Sequence, residues 1–260
     1  MTAAEKYQAQ KVPAVFGPLA GATFAAITLP ENAGVLDLAC GTGIVTKIVA
    51  ERLPGIGRIV GTDLNPAMIE VARQTMHDTR HAVEWAVADV SNLPFGDGEF
   101  DVAFCQQGLQ FFPDKPAALR EIRRVLAPNG RLVLTVWSAI SPLFQAVSDS
   151  LRIRVSEAAA DQAVHPFAFR GGDVIAALLA EAGFSIANAS TLLVQRPLTP
   201  ARAAIREEIL ASPYEMVLRE KGNDTIDAIV DDVDIALERY RDGDNLIVPQ
   251  EAHLFQAVNH

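Results

Sequence analysis

A short apolar run, Val35 to Ala39, stops at Cys40-Gly41-Thr42-Gly43 and passes directly into a segment of helical periodicity, Ile44 to Arg52. Glycines at this spacing let main chain approach a ligand where a Cβ would clash. The helix that follows presents unpaired N–H groups at its start. In an open parallel sheet, ligands lie beyond the carboxyl ends of the strands, so the turn is a candidate nucleotide-cofactor position. An ordinary tight strand-to-helix connection is the alternative. Thr46 stands where the dinucleotide pattern G-x-G-x-x-G requires its third glycine, and no Gly-Lys-Ser/Thr of a P-loop follows.

The chain around this turn alternates between two periods. Further strands are expected at Arg58 to Leu64, Ala82 to Ala88, Phe100 to Gln106, Arg131 to Trp137, Phe184 to Arg196 and His253 to Val258. Helices are expected at Pro18 to Leu29, Pro66 to Met76, Lys115 to Leu126, Pro142 to Val155 and Asp173 to Ala182. Pro66 suits a first helical turn, Pro128-Asn129-Gly130 closes the helix before it, and Gly183 stops the last. Ala158 to Arg170 reads as loop. Pro200 to Tyr240 reads as acidic helix broken near Ser212-Pro213 and Gly222-Asn223. This alternation predicts an α/β fold: a Rossmann-like, seven-stranded, mostly parallel sheet with helices on both faces and a helical insertion or cap. The expected organisation is an N-terminal helical lid over 1–33 and a cofactor-binding core over 34–138. Residues 139–260 complete the sheet and add substrate-cap helices in the same domain.

Composition narrows the function. The 260 residues are half hydrophobic, enough for a large core, and carry 22 basic against 32 acidic side chains. The net charge of -10 repels phosphate backbones, so nucleic acid is not an expected partner. The N-terminus lacks the pattern of a signal peptide and no run reaches membrane-spanning length, so a cytoplasmic protein without membrane partners is expected, monomeric or homodimeric. Cys40 and Cys105 offer no metal-ligand spacing and are expected as buried thiols; no metal is expected.

Two acids give the glycine turn a meaning. The second strand ends in Gly61-Thr62-Asp63-Leu64, where a carboxylate can accept from both hydroxyls of a ribose. The third ends in Val87-Ala88-Asp89-Val90. Together, Asp37-Leu38-Ala39-Cys40-Gly41-Thr42-Gly43, Asp63, Asp89, Leu93-Pro94-Phe95 and Phe100-Asp101-Val102 resemble a class I S-adenosylmethionine-dependent methyltransferase of the ubiquinone/menaquinone-biosynthesis-like type. Leu119 to Leu132 continues the resemblance, with Asn129 in place of the more usual glycine. The likeness covers roughly Val35 to Trp137.

The resemblance implies S-adenosylmethionine as cofactor and a small-molecule methyl acceptor. It implies that Gly41 and Gly43, with Ala39, approach the methionine part and that Asp37 holds the loop and the ammonium group. It places the ribose on Asp63, adenine between Leu64 and Val90, the adenine amino group at Ala88-Asp89, and Gln106 near the methionine moiety. Gln107, Phe111, His165, Phe167 and Tyr214 are the candidate acceptor contacts. No catalytic residue is assigned; His165 is the candidate base, a loop histidine capping a turn being the alternative. His77 and His81 lie before the third strand, away from the expected site. Competing readings are a protein that binds S-adenosylmethionine without methyl transfer, such as a regulator or cyclase, and an NAD-dependent oxidoreductase.

Overall fold

The computed structural model describes residues 1–260 apart from 56, 77 and 78. Eight strands share one sheet: β1 (Val35–Leu38), β2 (Ile59–Asp63), β3 (Val83–Val87), β4 (Phe100–Gln106), β5 (Leu126–Trp137), β6 (Phe184–Leu198), β7 (Arg241–Asp242) and β8 (Asn245–Asn259). Their order is β3-β2-β1-β4-β5-β8-β6, with the two-residue β7 paired to β8 off that path. The pairs from β3 through β5 are parallel and β5–β8 is antiparallel. The seven expected strands are therefore present, and β7 adds an eighth. The chain runs outward from β1 to β3 and then returns to lay β4 on the other side of β1. That reversal opens a crevice at the carboxyl ends of β1 and β4.

The chain divides into two compact units. The first comprises Met1–Ser138, Arg170–Leu192 and Ala252–His260; the second comprises Ala139–Phe169 and Leu193–Glu251. In the first, β1 is buried along its whole length, as expected for a strand with both faces covered. Its apolar core joins Val35, Val49, Leu53, Ile59, Val102 and Phe104, with Phe24 stacked on Phe104 at 5.1 Å. Local chemistry sets the helix starts. The Asn65 side chain accepts from the Ala67 N–H at 2.9 Å to open Pro66–Thr75, and Asp114 accepts from the Ala117 N–H at 2.8 Å to open Lys115–Val125.

Besides a helix that ends at Ala25 rather than Leu29 and a last strand that begins at Asn245 rather than His253, three segments differ from the sequence expectation. Ala158 to Arg170 is not a loop. It holds a helix, Glu157–Val164, and one 3-10 turn, His165–Phe167. The Ser156 hydroxyl caps this helix by accepting from the Ala159 N–H, Glu157 complements its dipole, and Ala159, Ala160 and Ala163 bury its face. Second, β5 begins at Leu126 rather than Arg131. Leu126 pairs with Phe100, and the register shifts before Arg131 pairs with Val102. Asn129 sits in this irregularity with φ 63°, a left-handed backbone that asparagine tolerates. Third, the N-terminal segment, expected as a helical lid over 1–33, is helical in a different form: a capped turn Ala3–Lys6 runs into a π-helical stretch, Tyr7–Phe16. Pro13 lies inside that stretch, where it would break a regular α-helix.

The second unit packs the helices Pro142–Arg154, Glu157–Val164, Ala201–Leu210, Glu215–Lys221 and Asn223–Ala236 around Leu143, Val147, Ile205, Ile209, Ile229 and Val233. The breaks between the last three fall at the expected places. No helix among the described residues is long and apolar enough to cross a membrane.

One packing contact governs the sheet beneath the glycine turn. Trp85, on β3, lies over Gly61 of β2, so a Cβ on Gly61 would collide with the indole. Gly61→Ala is expected to cost about 1–3 kcal/mol in urea-induced unfolding. Adding Trp85→Leu should recover part of that loss. An unchanged unfolding midpoint for the single variant would contradict this packing.

Candidate functional site

The parallel strands bring their carboxyl ends to one edge of the sheet, and the loop after β1 crosses it. Ala39, Gly41 and Gly43 all take left-handed backbone, with φ of 51°, 55° and 87°. Glycine adopts this freely, whereas alanine pays on the order of 1–2 kcal/mol for it. Hydrogen bonds hold the loop in that shape. The Gly41 N–H donates to Asp63 Oδ2 at 2.8 Å, the Cys40 N–H to the Thr62 carbonyl at 2.9 Å, and the Gly43 N–H to the Cys40 carbonyl at 2.9 Å. Beneath Gly43 a Cβ would lie 2.8 Å from the Trp85 ring.

Asp37 secures the helix that follows. Its Oδ2 accepts from the Thr46 N–H at 2.9 Å and from the Thr46 hydroxyl at 2.5 Å. Thr46 thus fills the position of the missing third glycine with a side chain that binds the acid. Asp37 is fully buried and its Oδ1 has no partner. Burial pushes its carboxyl up to about 7; the two Thr46 bonds oppose the rise and the nearby Asp63 charge adds to it. An open carboxylate oxygen held in this state fits an ammonium group.

Asp63 is half-buried at the end of β2. Oδ2 takes the Gly41 N–H and Oδ1 takes the Asn65 N–H at 2.8 Å, leaving lone pairs on both oxygens for further donors. The Ala88 N–H donates to the Asp63 carbonyl at 3.1 Å and ties the end of β3 to that of β2. The neighbouring Leu64 is 69% exposed, a large apolar surface beside a polar anchor. Asp89 is exposed. The Ser91 N–H and hydroxyl, at 2.8 and 2.7 Å, hold its carboxyl below the usual range. Val90 is half-buried.

The N-terminal segment lies over the same edge. The Tyr7 ring sits on Gly41, 3.6 Å from where a Cβ would stand, and stacks on Phe16 at 5.2 Å. Burial first, then the charges of Asp63, Cys40 and Asp37, raise its phenol above the ordinary tyrosine range. Gln106 donates from Nε2 to the Phe16 carbonyl at 3.2 Å, and its Oε1 is buried without a partner. Cys40 and Cys105 are free, buried thiols; burial pushes Cys105 up to about 12 and Cys40 well above its usual value. Neither is poised as a nucleophile.

The candidate acceptor contacts fall in both units. In the first, Gln107 is buried just beyond β4, and Phe111 is exposed on the 3-10 turn Leu109–Phe111. In the second, His165 is exposed on its turn, while Phe167 is buried against Phe144 at 5.1 Å. Tyr214 belongs to that unit's apolar core, where burial, with Glu208 nearby, raises its phenol above the ordinary range. His77 lies outside the described residues. His81 is buried with Nε2 3.2 Å from the Leu53 carbonyl, in a structural role. No cluster of metal-binding side chains occurs among the described residues. The sequence pattern singles out the amides of Gln106, Gln107 and Gln110 after the fourth strand but passes over Thr46, Thr42 and Phe16. Thr42 carries a buried hydroxyl without a partner, and the signal for Thr46 was its place in the first helical turn after an acid-ended strand.

Residues 36–134 match the family model described as a methyltransferase domain. Over 113 residues the chain is 42% identical to a demethylmenaquinone methyltransferase of Lactiplantibacillus plantarum, covering 43% of this chain and 48% of that one. Over 122 residues it is 37% identical to a ubiquinone/menaquinone biosynthesis C-methyltransferase of Citrifermentans bemidjiense, covering 46% and 52%. The chain thus spans about half the length of the curated relatives it matches. Among solved structures, a phosphoethanolamine N-methyltransferase 2 of Haemonchus contortus aligns over 92% of this chain and 52% of its own, with TM-score 0.56 and 19% identity. The cyclase SpnF aligns over 93% and 80%, with TM-score 0.56 and 22% identity. These two likenesses establish the fold, which serves more than one chemistry.

The buried acid makes a pH prediction. The folded-state pKa of Asp37 lies above its unfolded value, so its contribution to stability is fully present below about 4 and is lost as pH rises through about 7. Unfolding free energy of the ligand-free protein should fall across that interval. Asp37→Asn, which stays neutral and still accepts from Thr46, should flatten the slope. An identical pH profile in the variant would show that Asp37 does not titrate there.

Proposed function

With residues 36–134 a methyltransferase domain of the class I, ubiquinone/menaquinone-biosynthesis-like type, we propose that this chain binds S-adenosylmethionine on the Ala39–Gly43 loop and transfers its methyl group to a small-molecule acceptor. The observation that carries the reading is the Asp63 carboxylate, which fixes the loop through Gly41 yet keeps lone pairs on both oxygens for ribose hydroxyls. Asp37 Oδ1 accepts from the ammonium group. Leu64 and Val90 pack on the adenine, Ala88 and Asp89 receive its amino group, and Gln106 lies toward the methionine part. The left-handed backbone at Gly41 and Gly43 admits the close approach.

When bound, the cofactor supplies a methyl carbon made electrophilic by a sulfonium. The task of the chain is to align an acceptor with that carbon and keep water out. Tyr7, a neutral phenol lying on Gly41, serves as the closing surface of an N-terminal lid. Phe167 and Tyr214, expected as acceptor contacts, are buried packing residues of residues 139–169 and 193–251 and are not assigned to the acceptor; His165 is exposed on its turn in that unit, and no base is assigned. The net charge of -10 favours small molecules over nucleic acid, and a cytoplasmic monomer or homodimer is the form we propose. The NAD-dependent alternative conflicts with Thr46, whose side chain is committed to Asp37 at the position where a dinucleotide fold needs glycine.

Asp63→Ala should abolish S-adenosylhomocysteine binding in calorimetry. It should also lower stability by about 1 kcal/mol, because the Gly41 N–H loses its acceptor. Asp63→Asn should bind at least about tenfold more weakly than the parent. Unchanged affinity in both variants would refute the ribose assignment.

A further inference from the structure

Just beyond β4, two glutamine side chains are joined in a way that fixes the direction of both amides. Gln107 Oε1 accepts from the Trp137 backbone N–H at 3.1 Å and from Gln110 Nε2 at 2.9 Å. A backbone N–H can only donate, so the atom facing it must be the oxygen of Gln107. Gln110 must then present its NH₂ group to that oxygen. The assignment leaves Gln107 Nε2 as a donor and Gln110 Oε1 as an acceptor, both buried without a partner. Gln107 is 6% and Gln110 9% exposed. Leaving buried amide groups unpaired costs as much as the loss of hydrogen bonds, and two on one joined pair call for an occupant.

The position of the pair says where that occupant sits. Gln107 has left-handed backbone, φ 57°, unusual for a side chain other than glycine or asparagine. Its own N–H donates to the Thr135 carbonyl of β5 at 2.9 Å. The next residue, Gly108, lies against the cofactor loop, its missing Cβ 2.8 Å from the Ala39 Cβ. The amides therefore stand at the carboxyl edge between β4 and β5, beside the loop proposed to carry the methyl donor. Gln106 Oε1 on β4, Thr135 Oγ1 on β5 and Ser138 Oγ just after β5 are also buried without partners. These groups are amides and hydroxyls, which suit an uncharged ligand better than a carboxylate, phosphate or ammonium.

We infer that Gln107 and Gln110 hold the methyl acceptor through a neutral oxygen function: Gln107 Nε2 donates to a hydroxyl or carbonyl oxygen, and Gln110 Oε1 accepts from a hydroxyl. The inference rests on the methyltransferase reading and deepens it by naming the acceptor class, an uncharged hydroxylated molecule. An amide does not take up a proton at neutral pH, so the pair orients the acceptor and leaves its protonation unchanged.

The test uses the 260-residue chain saturated with S-adenosylhomocysteine and matched probes, phenol against anisole and 1-naphthol against 1-methoxynaphthalene, with affinities from ligand-observed NMR. The parent protein should prefer each hydroxyl compound over its methyl ether by about fivefold or more. In Gln107→Met the preference should vanish while S-adenosylhomocysteine affinity stays within about twofold. If Gln107→Met does not fold, because the Trp137 N–H loses its partner, Gln110→Met decides, and its preference should fall as well. Absence of a hydroxyl preference in the parent, or its survival in the variants, overturns the proposal. A parallel loss of S-adenosylhomocysteine affinity in the variants also overturns it, by showing that the amides hold the cofactor. Failure of the parent itself to bind S-adenosylhomocysteine is a different result: it removes the methyltransferase reading, and the acceptor assignment with it.

Discussion

The bond from the Gly41 N–H to the Asp63 carboxylate joins the loop after β1 to the end of β2, and most of the site's geometry hangs on it. The loop carries left-handed backbone at Ala39, Gly41 and Gly43, a shape with an energetic cost that a free segment would relax. Asp63 offsets that cost from one side. From the other, Asp37 holds Thr46 and fixes the start of the Ile44–Arg52 helix. Each acid uses part of its accepting capacity on the protein and keeps part open. Under the proposed function Asp63 anchors the loop and also faces the ligand, so exchanging it would change binding and local stability together.

The electrostatic character of the edge follows from burial. Asp37, Tyr7, Cys40 and Cys105 all lie where water is excluded, and each is pushed toward its neutral form. The buried part of the edge therefore offers little charge of its own, whereas Asp63 and Asp89 stand nearer solvent. Such a site suits a cofactor that brings its own cation, with the open oxygen of Asp37 as the matching group.

The first unit was largely legible in the sequence because its strands are apolar runs ended by glycine, acid or proline. The Ile44–Arg52 helix and β4 lie where the periodicity placed them. The glycine turn, Asp63 and Asp89 were readable because each ends a successive strand of a parallel sheet, and the parallel pairing brings those ends to one edge. The π-helical Tyr7–Phe16 stretch was not, since Pro13 looks like a break in any helix of regular α geometry. Glu157–Val164 was hidden because a helix of small residues shows a weak apolar stripe, and its main signal is the Ser156 cap. The partnership of Gln107, Gln110 and Trp137 depends on a left-handed turn and on a strand thirty residues away, which no local pattern encodes. The second unit shows an apolar helical core without a comparable ligand motif, so its sequence predicts packing alone.

Under the proposed function the loop, Asp37 and Asp63 form an adenosyl site rather than a dinucleotide site. Isothermal calorimetry of the parent protein with S-adenosylhomocysteine and, separately, with NAD distinguishes the two. Saturable binding of S-adenosylhomocysteine without detectable binding of NAD is the predicted result. Binding of NAD without binding of S-adenosylhomocysteine would contradict it.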